Sequence, residues 1–494
     1  MLKMLAFDLG ASNGRAVLGS FDGNRVTVRE MHRFSNTPVR AAGMLYWDVL
    51  RLFHEIQWGI SKSAREHGDI VSLAVDTWGT DFGLLDEKGY LLSNPYHYRN
   101  TYPLGTLEEV LKKVTLEELY TSIGAEMYEF TTLFMVYAMQ SRNHSHFKCA
   151  RTFLFMPDLF NYLLSGVKTT EYTIASTSRL ISAEKKNWLY GLMDTLNIPR
   201  EIFTEIIAPG TVIGELRDEV AAETGCRKLK VVATASHDTA SAVAALPAEE
   251  QDIIYISSGT WSVVGIEVER PIITEKAMKS GFINEGGVCG KIRFLKNIMG
   301  LWFVEACRSD WEMRGEGISY GEMDGMAERA VQFGSFIDPG HESFVLHGDM
   351  PRKIRDYCSR TSQRVPEDRG AVIRTINESL AMEYRRTIEQ LEEFSGKRFK
   401  KIFIVGGGVK NKALCQYTAN ATKREVVAGY SETVSLGSIL VQAMALGEIA
   451  GLSQLRQVAK ESFPVEYYHP LKQEAWDEAY EEYLKVRNKN NENI

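Results

Sequence analysis

Two stretches half a chain apart follow one local design, and that repetition limits what this chain can fold into more than any other feature. The first, LAFDLGASNGRAVLGSFDG (5–23), is an apolar run, a glycine-rich break carrying an acid and hydroxyl or amide groups, and a second apolar run. The second, IIYISSGTWSVVGIEVE (253–269), is built the same way around Gly259. Each reads as a buried strand joined by a tight break to an antiparallel partner. Further strands are predicted over 72–86, 230–238 and 401–408, with helical periodicity over 44–66, 104–122, 371–394 and 435–446. Strands alternating with helices predict an α/β architecture in which helices cover the sheets. The repeated hairpin predicts two similar domains. The polar, proline-containing stretch 244–251 is the natural place to divide them, giving 1–246 and 247–494.

Composition narrows the function classes. A chain of 494 residues that is 44% hydrophobic and 24% charged has ordinary globular usage, which excludes wholesale disorder. A net charge of −7 argues against nucleic acid or an anionic membrane surface as the main partner. The six cysteines stand singly, with no CxxC pair, so neither a disulfide framework nor a zinc site is expected. Asp8 interrupts the first apolar run, unlike the core of a signal peptide. The uncharged stretch 433–447 is short and rich in small residues, whereas a membrane span takes roughly 20 apolar ones. A cytoplasmic protein without an obligate protein partner is expected.

Three places carry residues suited to phosphate chemistry. In DLGASNGR (8–15) an acid ends a buried strand and a turn follows, setting backbone N–H groups beside a carboxylate. Such amides form a nest for phosphate oxygens, and the carboxylate can hold Mg²⁺, directly or through water. Equally, the motif fits a plain hairpin turn. SSGTWS (257–262) offers a second nest of the same kind, and two nests favour a nucleotide held between two halves. VGGGVKN (405–411) lets backbone approach a ligand, but Asn411 stands where a dinucleotide fingerprint needs its third glycine. No G-x-x-x-x-G-K-[ST] loop occurs.

The sharpest local feature is ASHDTASAVAAL (235–246), which sets His237, Asp238 and Thr239 at the start of an alanine-rich helix. Asp238 can be a simple helix cap, or the carboxylate that takes the proton of a hydroxyl attacking a γ-phosphate. Asn143-His144-Ser145-His146 reads as a polar loop, and Phe130, Phe134, Met135 and Met139 read as core-facing by spacing. Trp47 and Trp78 suit core packing or the aromatic platform of a sugar pocket equally well.

Together DLGASNGR, DTWGTDFGLLD (76–86), ASHDTASAV (235–243), SSGTWS, LKNIMGLW (295–302) and VGGG (405–408) resemble the FGGY family of carbohydrate kinases, in family order through most of the chain. Within it the match is nearest the rhamnulokinase branch. The resemblance implies two ribonuclease-H-like domains of the actin/Hsp70/hexokinase-like fold around a central cleft, with 1–246 on the sugar and phosphate side and 247–494 on the nucleotide side. It implies ATP-dependent phosphorylation of L-rhamnulose at its 1-hydroxyl, with Asp238 as proton acceptor and Mg²⁺ as cofactor. By analogy Ala11, Ser12, Asn13, Gly14, Arg15, Thr260, Glu305 and Gly407 bind ATP. Gly79, His237, Asp238, Thr239 and Asn297 contact the sugar, and Asp8 holds magnesium through its water shell. Glu305 stands where the family pattern leads one to expect glutamine, and a carboxylate beside a polyanion costs binding unless magnesium, a lysine or water intervenes. The other readings are a kinase of another ketose such as L-fuculose or a pentulose, a non-catalytic nucleotide switch of the Hsp70/actin type, and a nicotinamide dehydrogenase resting on VGGG.

Overall fold

The computed structural model describes residues 1–226, 228–248, 252–345 and 348–491. Residues 249–251 of the stretch expected to divide the halves lie outside them. Two compact units pack separately. The first comprises Met1–Glu249, Glu267–Phe294 and Thr433–Ser462, and the second Glu250–Ile266, Leu295–Glu432 and Phe463–Ile494. The units are therefore discontinuous in sequence, whereas the expected division at 246 concerns the two sequence halves.

In the first unit six strands form one mixed sheet: β1 (Leu2–Leu9), β2 (Asn13–Phe21), β3 (Val26–Ser35), β4 (Ile70–Thr77), β5 (Thr211–Glu215) and β6 (Lys230–Ala233). Their order across the sheet is β5-β6-β4-β1-β2-β3. The hairpin neighbours β1 and β2 pair antiparallel, while β4 joins β1 and β6 in parallel. Alternation along β1 sends Leu5, Phe7 and Leu9 into a core with Leu52, Ile56 and Ile60 of the helix Val49–Glu66. The other face of β1 meets the helix Thr433–Ala445. There Gln442 donates to the Leu5 carbonyl at 3.2 Å and accepts from the Ser72 hydroxyl at 2.8 Å. These buried bonds explain why a segment so late in the chain belongs to the first unit.

The second unit repeats the plan. Here β7 (Ile254–Ser258) pairs antiparallel with β8 (Trp261–Val268) over residues 254–266 and in parallel with β9 (Lys401–Val405). The sheet continues through β10 (Glu425–Ala428) to β11 (Glu466–Tyr468). The helix Arg369–Ser395 matches its expected span closely.

Several expectations need correction: the loop read at 143–146 gives way to a helix at Ser145–Cys149, and the strand read over 230–238 stops at Ala233. The helical pattern over 44–66 begins with a strand, Met44–Tyr46, and the helix proper starts where Asp48 caps it. The pattern over 104–122 is two helices, Thr106–Leu111 and Leu116–Ile123, because Thr115 and Glu118 form a capping box that starts the second afresh. The pattern over 72–86 is two strands of different sheets: the first stops at Thr77, and after Thr80, at φ 72°, Phe82–Leu85 pairs antiparallel with Thr152–Phe155.

Candidate active site

Strand register sets the charged residues of the first unit side by side. Asp8 at the end of β1 lies opposite Arg15 on β2 and beside Asp76 on β4. Arg15 donates to Asp8 Oδ2 through Nε at 3.0 Å and Nη2 at 2.7 Å, and the Ser435 hydroxyl donates to the same oxygen at 3.2 Å. Asp76 is wholly buried, and neither of its oxygens has a hydrogen-bond partner of ordinary geometry. Burial, then the charges of Asp8 and Asp238, hold its carboxyl well above the usual range, with Ser438 and Arg15 pulling the other way. Sequence reasoning passed over Asp76, although it too is an acid ending a buried strand.

The turn after β1 is pinned by a residue that the sequence did not mark. Asn36 donates its N–H to the Ser12 carbonyl at 2.9 Å and its side-chain amide to the Gly10 carbonyl at 2.8 Å. Ala11, Ser12 and Asn13 are thereby held exposed. Gly14 is buried, and a Cβ there would lie 2.5 Å from Phe34 Cζ, so packing against Phe34 requires glycine at this position.

Beyond β6 the chain is locked before it reaches Asp238. The Thr77 N–H donates to the Ser236 carbonyl at 2.9 Å, Glu171 Oε2 accepts from the Ser236 N–H at 3.1 Å, and Thr173 Oγ1 accepts from the His237 N–H at 3.1 Å. Burial pushes the Glu171 carboxyl up to about 7. Asp238 is the first residue of the helix Asp238–Ala244, whose cap position is taken by His237, so the cap reading of Asp238 does not hold. Asp238 Oδ1 accepts from the Thr239 N–H at 2.5 Å and its hydroxyl at 3.1 Å. The side chain is 30% exposed. Desolvation nonetheless raises its pKa, opposed by His237 and reinforced by Asp8. Gly79 sits against Thr177, whose hydroxyl also accepts from the Thr80 N–H at 3.1 Å.

Trp47 and Trp78 are buried, so neither is an open platform. Their rings lie 4.1 Å apart, and both indoles donate to Asp81 Oδ2, at 2.5 and 2.9 Å. Burial pushes the Asp81 carboxyl up to about 7, against the pull of both indoles. The folded chain therefore holds a proton on Asp81 between about pH 4 and 7 that the unfolded chain lacks, and stability falls as pH rises through that window. His97, stacked on Trp47, is lowered to about 4 and acts in the opposite direction. Comparison with Asp81→Asn, whose amide oxygen still accepts from both indoles, isolates the carboxylate. We expect the variant to gain on the wild type as pH rises from 4 to 7, by up to about 4 kcal/mol, in denaturant titrations at stepped pH. A constant difference would refute this.

In the second unit the SSGTWS turn and the glycine run lie against each other. A Cβ on Gly408 would fall on the Ser258 side chain, and one on Gly406, at φ 82°, would come within 2.9 Å of the Ser258 carbonyl oxygen. Gly407 between them is exposed with open space around it. Thr260 is exposed, and its carbonyl accepts from the N–H groups of Gly300 and Trp302 at 3.0 and 3.2 Å. That anchors the helix Trp302–Met313, on which Glu305 is exposed and accepts from the Tyr320 hydroxyl at 2.5 Å. Asn297 is exposed on the strand Ile292–Met299. Thr260, Gly407, Glu305 and Asn297 thus belong to the second unit, and the other expected site residues to the first.

Sequence models of the N-terminal and C-terminal domains of the FGGY family of carbohydrate kinases match residues 3–245 and 254–446. The chain belongs to the FGGY family of carbohydrate kinases. This FGGY chain is 40% identical to a rhamnulokinase of Bacteroides thetaiotaomicron, over 97% of its own length and 98% of the relative's. It is 38% identical to one of Halalkalibacterium halodurans, covering 94% and 98%. Its fold is that of solved FGGY kinases. It superposes on a xylulose kinase of Lactobacillus acidophilus with a TM-score of 0.81 at 16% identity, covering 99% of this chain and 98% of that one. For glycerol kinase of Plasmodium falciparum the score is 0.79 at 14% identity, covering 100% and 98%. Among the described residues no helix is long and apolar enough to cross a membrane.

Proposed function

We infer that this FGGY kinase transfers the γ-phosphoryl group of ATP to the 1-hydroxyl of L-rhamnulose, giving L-rhamnulose 1-phosphate and ADP. The observation that carries this is near-full-length similarity to rhamnulokinases at 38–40% identity. Asp238 is the proton acceptor in this reading: Thr239 occupies Oδ1 and steers the carboxylate, and its raised pKa suits a base. The sugar O1–H proton passes to Asp238 as O1 bonds to the γ-phosphorus and the bond to the ADP oxygen breaks.

Gly79, His237, Thr239 and Asn297 contact the sugar. Ala11 to Arg15, Thr260, Glu305 and Gly407 line the nucleotide, so that residues 1–246 serve the sugar and phosphates and 247–494 the nucleotide. The residues present fit Mg²⁺. Burial and the charges of Asp8 and Asp238 raise the carboxyl of Asp76, whose oxygens have no hydrogen-bond partner of ordinary geometry, and with Arg15 paired to Asp8 the three acids still favour a cation. Asp8 would hold it through water, and the ion would offset charge on the phosphates. The reaction requires only ketose and ATP as partners, and its need for ATP fits the cytoplasm.

An ADP-release assay over L-rhamnulose, L-fuculose and D-xylulose tests the reading. We expect kcat/KM for L-rhamnulose to exceed the others at least tenfold, and preference for another ketose would overturn the substrate. Gly407 gives a separate test of the nucleotide side. Because nothing surrounds its Cβ position, Gly407→Ala should leave the melting temperature within about one degree and raise the ATP KM several-fold. An unchanged ATP KM would remove Gly407 from the nucleotide.

A further inference from the structure

Behind His237 lies a buried ionic cluster assembled from distant parts of the first unit. Arg293 is wholly buried, and its Nη2 lies 3.0 Å from His237 Nδ1 and 3.1 Å from Glu285 Oε2. Its Nε donates to the Gly286 carbonyl at 2.8 Å, and Arg179 approaches the other Glu285 oxygen at 4.0 Å. Glu285 Oε2 is 3.5 Å from His237 Nδ1, farther than the guanidinium.

Hydrogen-bond chemistry then decides which nitrogen of His237 carries the proton. A guanidinium can only donate. At 3.0 Å from Arg293, Nδ1 must therefore offer a lone pair. Nδ1–H would leave two donors facing each other and would depend on the longer reach to Glu285. Proton and ring are both settled by this bond, and Nε2 is left as an N–H. Burial lowers the His237 pKa, which also favours the neutral ring. Nε2 lies 3.4 Å from Asp238 Oδ1, an oxygen that already accepts twice from Thr239. So loose a contact leaves Nε2–H free to serve a third group.

We propose that Arg293, with Glu285 as its counter-ion, is a positioning residue that locks His237 in the Nε2–H tautomer, so that His237 presents a hydrogen-bond donor to an oxygen of the sugar beside Asp238. This rests on the proposed substrate class for the sugar, but the tautomer itself does not. The arrangement gives His237 one function in the reaction: it donates a hydrogen bond, and Asp238 alone takes the proton. It also excludes a ligand that would place a second donor at that point.

Two measurements test it. ¹⁵N NMR of histidine-labelled protein, with His237 assigned by its absence in His237→Ala, should show at neutral pH an unprotonated Nδ1 and a protonated Nε2. An Nδ1–H ring or a doubly protonated ring would overturn the proposal, whatever substrate the enzyme takes. Kinetically, Arg293→Met should lower kcat/KM for L-rhamnulose by about 30-fold in the wild type and by less than threefold in a His237→Ala background, because the residue acts through His237. Arg293→Lys, which keeps a donor, should recover most of the loss. Equal losses in both backgrounds would mark Arg293 as structural and sink the idea. If Arg293→Met does not fold, the NMR result on the wild type decides. If the wild type turns over no ketose, the substrate reading fails while the tautomer result stands.

Discussion

Asp238→Asn is expected to lose phosphoryl transfer almost completely while keeping its fold. Asparagine preserves the Oδ1 acceptor that takes the Thr239 N–H and hydroxyl, so the start of the helix Asp238–Ala244 should be undisturbed. What disappears is the second carboxylate oxygen, the group able to take the hydroxyl proton. Loss of a positioned base costs on the order of 10³-fold in kcat. Stability should move the other way. Desolvation and Asp8 raise the pKa of Asp238 in the folded state, so ionising it costs folding free energy as pH rises through that value, and a neutral amide escapes the cost. At neutral pH the variant should therefore melt at the same temperature as the wild type or above it. The measurement is ADP release with L-rhamnulose beside a thermal melt. Activity within tenfold of the wild type would remove Asp238 as the base. A lowered melting temperature would show that the carboxylate serves the fold instead.

Local features were the legible ones. The two hairpins could be read because a run of apolar residues broken by glycine has few ways to fold, and the structure places β1 with β2 and β7 with β8 at the expected positions. The helix break at Thr115 was just as local, and T-x-x-E (115–118) was its unread signal. Phe134, Met135 and Met139 are buried as their spacing predicts, but Phe130 precedes the helix that begins at Thr132, so helical spacing says nothing about it, and it is 44% exposed. The cluster behind His237 could not be read at all. An arginine within an apolar run looks like a strand's solvent face, and only the fold brings Arg179, Glu285 and Arg293 together out of water. Trp47 and Trp78 illustrate the same limit: their shared acceptor, Asp81, shows which of two even readings packing selects. Asn36, too, acts through a turn 24 or more residues earlier that no spacing rule connects to it.

Gly437→Ala should destabilise the first unit and take activity with it, although the substitution improves the local helix. In isolation, alanine in the interior of the helix Thr433–Ala445 would favour helix by about 1 kcal/mol over glycine. Packing reverses the sign. A Cβ at 437 would lie 2.6 Å from the Ser241 carbonyl carbon and closer still to its oxygen. A side chain could rotate aside, but this obstacle is backbone of the helix that begins at Asp238. One helix must then shift, at an overpacking cost of about 1–3 kcal/mol or more, and an immovable obstacle places the cost at the upper end. Either shift reaches the candidate chemistry. Movement of Asp238–Ala244 displaces Asp238, and movement of Thr433–Ala445 displaces Ser435 from Asp8 and Gln442 from Ser72. We expect a net loss of about 2 kcal/mol in denaturant unfolding, and a fall in kcat of tenfold or more in the protein that remains folded. If the variant instead unfolds at higher denaturant, helix propensity has won and the two helices do not pack through Gly437. If stability falls but kcat holds, the strain is absorbed away from Asp238 and Asp8, and the rigidity assigned to that corner of the unit would have to be given up.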